Sequence, residues 1–378
     1  MDKILVLDFG SQYSHLICRR IREFSVFAEL VPYDISYEVI QKHNPKGIIF
    51  SGGPSSVYTT EAPVPENKIF EMDLPLLGIC YGHQLIVDKF GGKVKRANKE
   101  YGSSVLTIDN DSDLLSGIGE SVRAWMSHGD EAEEIPSGFK VIGHTEGAKA
   151  AAIASDEKSV YGIQFHPEVV HTEQGTEILK NFVLKVCGAK QDWTMEGFID
   201  TAVEKISKIE GNVLCGVSGG IDSTVVALLI DKAIGNRLKC VFVDNGLLRL
   251  NEEKEVEEMF KENFKVNFTA VNAGQQFLEK LKGIEDPEAK RKIVGEEFIH
   301  VFTNFAEKEG PFKWLAQGTL YPDVIESGVS KGPAAVIKSH HNVGGLPDWL
   351  NLEILEPLRE LYKDEVREIA KILGVPEK

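Results

Sequence analysis

The chain has 378 residues, of which 42% are hydrophobic and 26% are charged, and its formal net charge at pH 7 is −16. These values are typical of a globular protein with substantial cores, and the length predicts two domains or one large domain. The acidic balance argues against a nucleic-acid partner, which usually meets a basic protein face. It does not exclude a small anionic ligand at a local site.

The cysteines and the apolar segments of the sequence indicate the cellular compartment of the protein. The five cysteines are Cys18, Cys80, Cys187, Cys215 and Cys240, with no CxxC pair and no zinc-type spacing among them. Their odd number argues against a disulfide framework. The N-terminal apolar run is too short for a signal peptide, and no later stretch is suited to crossing a bilayer. We therefore expect a cytoplasmic protein with no membrane partner and no nucleic-acid partner.

Strand-like runs alternate with helical patterns along the first half of the chain. Predicted strands cover 3–7, 26–32, 47–53 and 75–80, and helical patterns cover 14–24, 36–43 and 81–92. From about 105 to 167 the segments are richer in strands, and a closing helix over 172–188 ends at Gly188. Such alternation predicts a mostly parallel sheet with helices on its faces.

A second α/β pattern follows a short linker. We predict a first domain over 1–187, a linker over 188–193 and a second domain over 194–378. Predicted helices start near 194, 222, 251 and 285, and predicted strands cover 212–217, 238–246, 264–274 and 312–319. The fold class is therefore α/β, with two open, mostly parallel-sheet domains.

Cys80 stands between glycines at a spacing of two on each side, Gly78 and Gly82. This spacing permits a sharp strand-to-helix turn that exposes a nucleophile, and the helix N-terminus favours negative charge on the sulfur. The alternative is that Cys80 is a small apolar core residue. As nucleophile it would need a base, and the end of a predicted strand supplies His166, followed by Glu168.

Other histidines compete for the role of base. His83 follows Cys80 within the predicted helix, so we expect it to be structural or to line the pocket. His128 and His144 lie on strand-like segments and are expected to be hydrogen-bonded structural residues. An oxyanion hole is predicted from the backbone amides of Gly53, in a Gly-Gly-Pro turn, and Tyr81.

Three motifs in order, GGP at 52–54, GICYGHQ at 78–84 and FHPE at 165–168, resemble those of the class I glutamine amidotransferases. The similarity extends over residues 1 to about 187. It implies a triad of Cys80, His166 and Glu168 that hydrolyses glutamine to glutamate and ammonia through a thioester. It further implies glutamine-binding roles for Gln84, Tyr101 and Gly102.

The second domain carries a glycine-rich loop, SGGIDST at 218–224, between a predicted strand and a predicted helix. Backbone amides and a helix N-terminus would attract phosphate there, and Asp222 beside phosphates fits Mg²⁺. No lysine follows the glycines, so the loop is not of Walker type. The alternative is an ordinary turn in which Asp222 and Ser223 cap the helix.

The SGGxDS pattern resembles the pyrophosphate loop of the ATP pyrophosphatases, which have an adenine nucleotide alpha-hydrolase-like fold. The resemblance implies ATP binding with Mg²⁺ at Asp222. The implied ATP-binding residues are Ser218, Gly219, Gly220, Ile221, Asp222, Ser223, Thr224, Val243, Gln317, Gly318 and Lys338. Lys338 would belong to a mobile lid over 330–347, and we disfavour a metal site at the neighbouring pair of histidines, 340 and 341.

Taken whole, the chain is similar to the family of glutamine-hydrolysing GMP synthases. The similarity implies that ATP·Mg²⁺ adenylylates the O2 of xanthosine monophosphate (XMP) and that ammonia then displaces AMP. Family members continue into a C-terminal dimerisation domain that contributes to the XMP site, so we expect this chain to be monomeric. The alternatives are a truncated chain without a complete XMP site, another ATP pyrophosphatase amidotransferase, and a non-catalytic nucleotide sensor.

Overall fold

A computed structural model of the chain describes residues 1–328 and 352–376. The chain divides into two compact units, Met1–Thr194 and Met195–Lys378. Across the described ranges, none of the helices combines the length and the apolar character that a membrane span requires. The predicted lid and its Lys338 lie outside the described residues.

The described part of the first unit is built on a nine-stranded sheet. Its strands are β1 (Lys3–Asp8), β2 (Phe27–Pro32), β3 (Gly47–Phe50), β4 (Leu76–Ile79), β5 (Lys93–Ile108), β6 (Ser121–Glu134), β7 (Lys140–His144), β8 (Ala152–Ser155) and β9 (Val160–Ile163). The order is β2-β1-β3-β4-β9-β8-β7-β5-β6. Pairing is parallel from β2 to β9 and antiparallel from β9 to β6.

The helices of the first unit are α1 (Ser14–Arg22), α2 (Tyr37–His43), α3 (Tyr81–Lys89) and α4 (Gly175–Lys180), and the last continues with π-type turns over Asn181–Val186. Gly188 then adopts a φ of +59°, which a glycine tolerates and which ends the helix. Strands β1, β3 and β4 bury continuous apolar runs against α2 and α3, as parallel strands covered on both faces do.

Strand β5 is longer than the sequence indicates, because it begins at Lys93 rather than near 105. The start of β5 carries the charged residues Lys93, Lys95 and Arg96 around a single apolar Val94, so hydrophobic periodicity does not mark it. Oppositely charged partners hold it instead: Lys93 contacts Glu134 at 2.6 Å, and Lys95 contacts Glu133 at 3.3 Å. These exposed pairs explain how a strongly polar ribbon pairs in register with β6.

The described part of the second unit contains a five-stranded sheet that is parallel throughout, in the order β12-β11-β10-β13-β14. Its strands are β10 (Val213–Gly216), β11 (Leu238–Asp244), β12 (Phe268–Asn272), β13 (Trp314–Ala316) and β14 (Glu353–Leu355). Its helices are α5 (Met195–Ser207), α6 (Ile221–Ile234), α7 (Glu252–Glu258), α8 (Gly274–Leu281), α9 (Pro287–Glu309), α10 (Tyr321–Gly328) and α11 (Lys363–Ile372). All five cysteines of the chain are free and buried.

Candidate active sites

Cys80 lies in the turn between β4 and α3, with a φ of 53° and a ψ of −104°. A non-glycine residue rarely adopts positive φ, so the surrounding structure must enforce this strained turn. Each of the two flanking glycines is required for a different steric reason. A Cβ at Gly78 would collide with the backbone of Gly82, and a Cβ at Gly82 would come within 2.5 Å of the Phe50 carbonyl oxygen.

His166 and Glu168 follow strand β9 and form a buried pair. Their exposed fractions are 4% and 1%, and His166 Nδ1 lies 2.8 Å from Glu168 Oε1. The amide of His166 donates to the Trp125 carbonyl at 3.0 Å, and the Thr172 hydroxyl donates to the His166 carbonyl at 2.6 Å. The imidazole is therefore fixed by its own backbone and by a carboxylate, which is how a catalytic base is oriented.

Burial acts against a charged imidazole at His166, but hydrogen bonds with Cys80 and Glu168 outweigh it and raise the pKa of His166 to about 10. The ring is therefore protonated at neutral pH and faces the sulfur as a hydrogen-bond donor. Because this pKa lies above the ordinary value, the group stabilises the folded state below about pH 6.5, and the contribution disappears as pH rises through about 10.

A polar cavity of about 690 Å³ opens over Cys80 and His166. The wall opposite the thiol belongs to β6, where the Cys80 Sγ donates to the Ser127 carbonyl at 3.6 Å. The predicted residues that line this cavity are Gly53, Tyr81, Gln84 and Tyr101. Gly102 follows Tyr101 in β5 with a φ of +97° and is not among the lining residues.

Within the described residues, the backbone amides of Gly53 and Tyr81 donate to no protein acceptor, so both remain available to a ligand oxygen. Gln84 is buried on α3, and its Nε2 donates to the Asp130 carbonyl at 3.0 Å and to Gln164 Oε1 at 3.3 Å. The amide of Gln84 thus ties the nucleophile-bearing helix to strand β6.

The sequence prediction missed Asp130, which lies at the rim of the cavity and is 8% exposed. Its carboxylate accepts from the Ser56 hydroxyl at 2.5 Å and from the Tyr58 hydroxyl at 2.8 Å. Arg96 was also missed, although it borders the same cavity. The only signal in the sequence was the polar run around Asp130, which gives no indication of partners more than 70 residues away.

The competing histidines differ in their surroundings. His83 is fully buried against Gly162, and burial, with a contribution from His128, lowers the pKa of His83 to about 3. It is therefore neutral and lies outside the cavity lining. His144 is partly exposed and contacts Asp109 at 2.8 Å, away from the cavity. His128 is buried in β6 and does line the cavity.

The glycine-rich loop of the second unit connects β10 to α6. Its conformation is held locally: the Ser218 amide donates to the Ser223 hydroxyl at 3.2 Å, and the Gly220 amide donates to the Ser218 hydroxyl at 3.3 Å. Gly219 adopts a φ of +75°, which glycine allows without strain. These bonds use two of the amides of the loop, and the others lie at a helix N-terminus, where anions bind.

A second cavity, of about 450 Å³, begins at this loop. Its polar end contains Ser218, Asp222 and Ser223, and its other end is apolar, with side chains such as Phe242, Val243, Phe298 and Phe302. Gln317 and Gly318 line it from the end of β13, together with Thr319. The division into a polar and an aromatic end matches the phosphates and the base of a nucleotide.

Three predicted ATP-binding residues, Gly219, Ile221 and Thr224, line a different cavity of about 460 Å³, together with Arg367 and Lys371. Thr224 is buried, and its hydroxyl donates to the Gly220 carbonyl at 2.9 Å. Gly219, Ile221 and Thr224 therefore lie on the side of the loop that faces away from the nucleotide-sized cavity. Ser218, Asp222 and Ser223 line that cavity.

Asp222 has a partner that the sequence prediction did not include. Lys363, at the start of α11, donates to both carboxylate oxygens of Asp222, at 2.6 and 2.5 Å. Among the residues that the structure describes, no three His, Cys, Asp or Glu side chains form a metal cluster. A single carboxylate beside a phosphate loop fits Mg²⁺ that arrives with ATP, because this ion takes one or two carboxylates plus phosphate oxygens.

Comparison with known proteins agrees with this two-site arrangement. The family model "Glutamine amidotransferase class-I" matches residues 5–186, and the model "NAD synthase" matches residues 193–296. A GMP synthase [glutamine-hydrolyzing] of Caldicellulosiruptor saccharolyticus is 55% identical over 99% of this chain and 74% of its own length. Proteins of the same name from Clostridium novyi and Brachyspira hyodysenteriae are 53% and 52% identical, each over 100% of this chain and 74% of the relative. The chain belongs to the family of glutamine-hydrolysing GMP synthases.

Proposed function

We propose that this chain is a glutamine-dependent ligase that makes GMP from XMP, with ATP and glutamine as co-substrates. The observation that carries the proposal is the strained turn at Cys80 beside the buried pair of His166 and Glu168, in a chain that also holds a nucleotide-sized cavity over a pyrophosphate loop. One site would release ammonia, and the other would activate the acceptor oxygen.

In the glutaminase reaction, His166 carries the proton of the Cys80 thiol, and the resulting thiolate attacks the side-chain carbonyl carbon of glutamine. The oxygen becomes negatively charged, and the amides of Gly53 and Tyr81 supply donors for it. His166 gives its proton to the departing nitrogen, which leaves as ammonia, and a thioester remains on Cys80. His166 then removes a proton from water, and attack by that water on the thioester releases glutamate.

In the synthetase reaction, the XMP O2 attacks the α-phosphate of ATP and pyrophosphate leaves. The amides of the loop and the hydroxyls of Ser218 and Ser223 bind the departing phosphates, and Lys363 adds positive charge beside them. Mg²⁺, held by Asp222, would neutralise developing charge on the phosphates. Ammonia then attacks the adenylylated carbon and AMP departs, which gives GMP.

The compartment and the oligomeric state of the protein are the remaining expectations. The free, buried thiols suit a reducing compartment, and we propose the cytoplasm. The monomeric state expected from the sequence stays a prediction, to be measured by sedimentation or light scattering.

The deciding experiment measures glutamate formation and pyrophosphate release, each with and without ATP and XMP. We expect Cys80→Ala to abolish glutamate formation and to spare pyrophosphate release, and Asp222→Asn to do the reverse. If XMP does not stimulate pyrophosphate release by the wild-type chain, the proposed acceptor is wrong. Release stimulated by a different carboxylate or carbonyl acceptor would favour another ATP pyrophosphatase reaction, such as that of the NAD synthases.

A further inference from the structure

His128 lies on β6 in the wall of the glutaminase cavity, and it is 4% exposed. Both of its ring nitrogens face oxygen atoms of the protein. Nδ1 lies 3.0 Å from the Asp130 carbonyl oxygen, and Nε2 lies 3.0 Å from Glu100 Oε2 on the neighbouring strand β5. Neither distance leaves room for a water molecule between the ring and its partner.

Both partners are acceptors, which fixes the number of protons on the ring. A carbonyl oxygen has no proton to donate, and neither has an ionised carboxylate, whereas a neutral imidazole has one N–H only. A neutral His128 would therefore place a nitrogen lone pair against an oxygen lone pair at a buried position. An imidazolium, with two N–H groups, satisfies both contacts.

The surroundings of Glu100 favour its ionised form. The hydroxyl of Ser104 donates to Glu100 Oε1 at 2.7 Å, and the hydroxyl of Thr145 approaches it at 3.3 Å. Donors of this kind stabilise a carboxylate. Gly147 packs so closely that a Cβ there would lie 2.8 Å from the Glu100 carboxyl carbon, so the carboxylate has little freedom to turn away from His128.

The other charged or titratable groups near His128 do not replace this partner. His83 approaches from α3 and is neutral, because burial lowers its pKa to about 3. Asp130 lies on the same strand as His128, and its carboxylate is bonded to Ser56 and Tyr58. Arg96 and His166 line the same cavity but are cationic, so neither can serve as a counter-ion. Glu100 on β5 is therefore the counter-ion that the geometry provides.

We propose that His128 is held as an imidazolium by Glu100 and acts as a positioning residue for the glutaminase site. It connects β5 to the Asp130 carbonyl, which also accepts from the Gln84 amide. It thereby fixes the Ser127–Asp130 wall, whose Ser127 carbonyl contacts the Cys80 Sγ at 3.6 Å. This inference rests on the proposed glutaminase function of the cavity.

The protonation state can be observed directly in the full chain by ¹⁵N–¹H spectroscopy of the histidine rings. The His128 signals are identified by their loss in His128→Gln. At about pH 8, where a free imidazole is neutral, we expect two protonated nitrogens on His128. In Glu100→Gln the side-chain amide can donate to Nε2, so the second proton should be lost. A neutral tautomer in the wild type, or an unchanged doubly protonated ring in Glu100→Gln, overturns the proposal.

The positioning role is tested by the rate at which a diazo-ketone analogue of glutamine alkylates Cys80, measured by intact-protein mass spectrometry. The reagent requires glutamine binding and a competent thiol but no turnover at the second site. We expect His128→Gln to lower the second-order labelling rate at least about tenfold through weaker analogue binding, the size of effect that loss of one charge-assisted hydrogen bond produces. Labelling should keep the wild-type rate in His144→Gln, because that histidine pairs with Asp109 outside the cavity.

The outcomes distinguish failure of the proposed glutaminase from failure of the positioning role of His128. If the wild-type chain is not labelled at Cys80, the proposed glutaminase function fails, whatever the spectroscopy shows. If the wild type is labelled and His128→Gln is labelled equally fast, the positioning role is refuted while the glutaminase stands. Should His128→Gln not fold, as judged by thermal denaturation, the milder Glu100→Gln takes its place and should also slow labelling.

Discussion

Replacing Glu168 by glutamine tests how much of the glutaminase depends on one buried charge. The side chain is 1% exposed, and only one of its oxygens, Oε1, has a partner among the described residues. The amide oxygen of the introduced glutamine can accept from His166 Nδ1 as Oε1 does now at 2.8 Å. The substitution therefore preserves the shape and the hydrogen bond and removes the charge.

The effect of Glu168→Gln on turnover follows from the electrostatics of His166. Burial alone would push the pKa of this imidazole below its ordinary 6.5, and hydrogen bonds with Cys80 and Glu168 together bring it to about 10. Glu168 supplies one of these two contributions, so its loss should lower the His166 titration midpoint. We expect turnover to fall by about 10⁴-fold, the drop seen when the aspartate of a serine-protease triad becomes asparagine.

The assay is glutamate release at saturating glutamine, with the His166 titration followed by ring ¹⁵N shifts. Stability adds an independent readout: the stability that the raised pKa of His166 contributes is lost between about pH 6.5 and about pH 10 in the wild type, and in Glu168→Gln this loss should be smaller and complete at a lower pH. The matched control is Glu173→Gln, on the same loop but half-exposed and paired with Arg123. Turnover within about threefold of wild type in Glu168→Gln would refute the role of the charge.

Three further substitutions test other parts of the structure. Gly82→Ala places a methyl group against the backbone of β3, and we expect a loss of about 2 kcal/mol or more in the free energy of unfolding, measured by urea denaturation; an unchanged midpoint would contradict the steric argument. Lys363→Met removes the cation bonded to Asp222, so calorimetry should show ATP affinity weakened about tenfold. Unchanged affinity would show that Lys363 does not contribute to ATP binding. Tyr58→Phe removes one donor to Asp130 and should cost about 1.5–3 kcal/mol of stability, the range for a hydrogen bond to a charged group, whereas unchanged stability would mean that this hydroxyl does not stabilise the carboxylate.

The local conformation at both predicted sites is encoded over short stretches of the sequence. The turn at Cys80 depends on the glycines at its own two sides, and the pyrophosphate loop depends on residues within 218–224, so each conformation is encoded over a few consecutive positions. The fold class was confirmed for the same reason, because the alternation of apolar strands and amphipathic helices is a local pattern.

What the sequence could not provide were contacts between distant segments. Lys363 meets Asp222 across 141 positions, and nothing near either residue indicates the other. The Glu100 carboxylate reaches His128 only because β5 and β6 pair with a bulge between Arg96 and Glu100, and a single-residue slip would turn it to the other face. Strand register in a polar ribbon is set by such tertiary pairings, which no periodicity displays.

The burial of all five thiols has a practical consequence for chemical labelling. Burial raises the pKa of Cys18 to about 12 and also raises the pKa of Cys187, while a hydrogen bond with Cys215 and burial raise that of Cys240. Thiols of this kind react slowly, because the thiolate is the reactive species. Of the five, Cys80 borders the large polar cavity of the first unit. A general electrophile should thus modify the native chain once and the unfolded chain five times, so the number of adducts per molecule reports both site occupancy and foldedness.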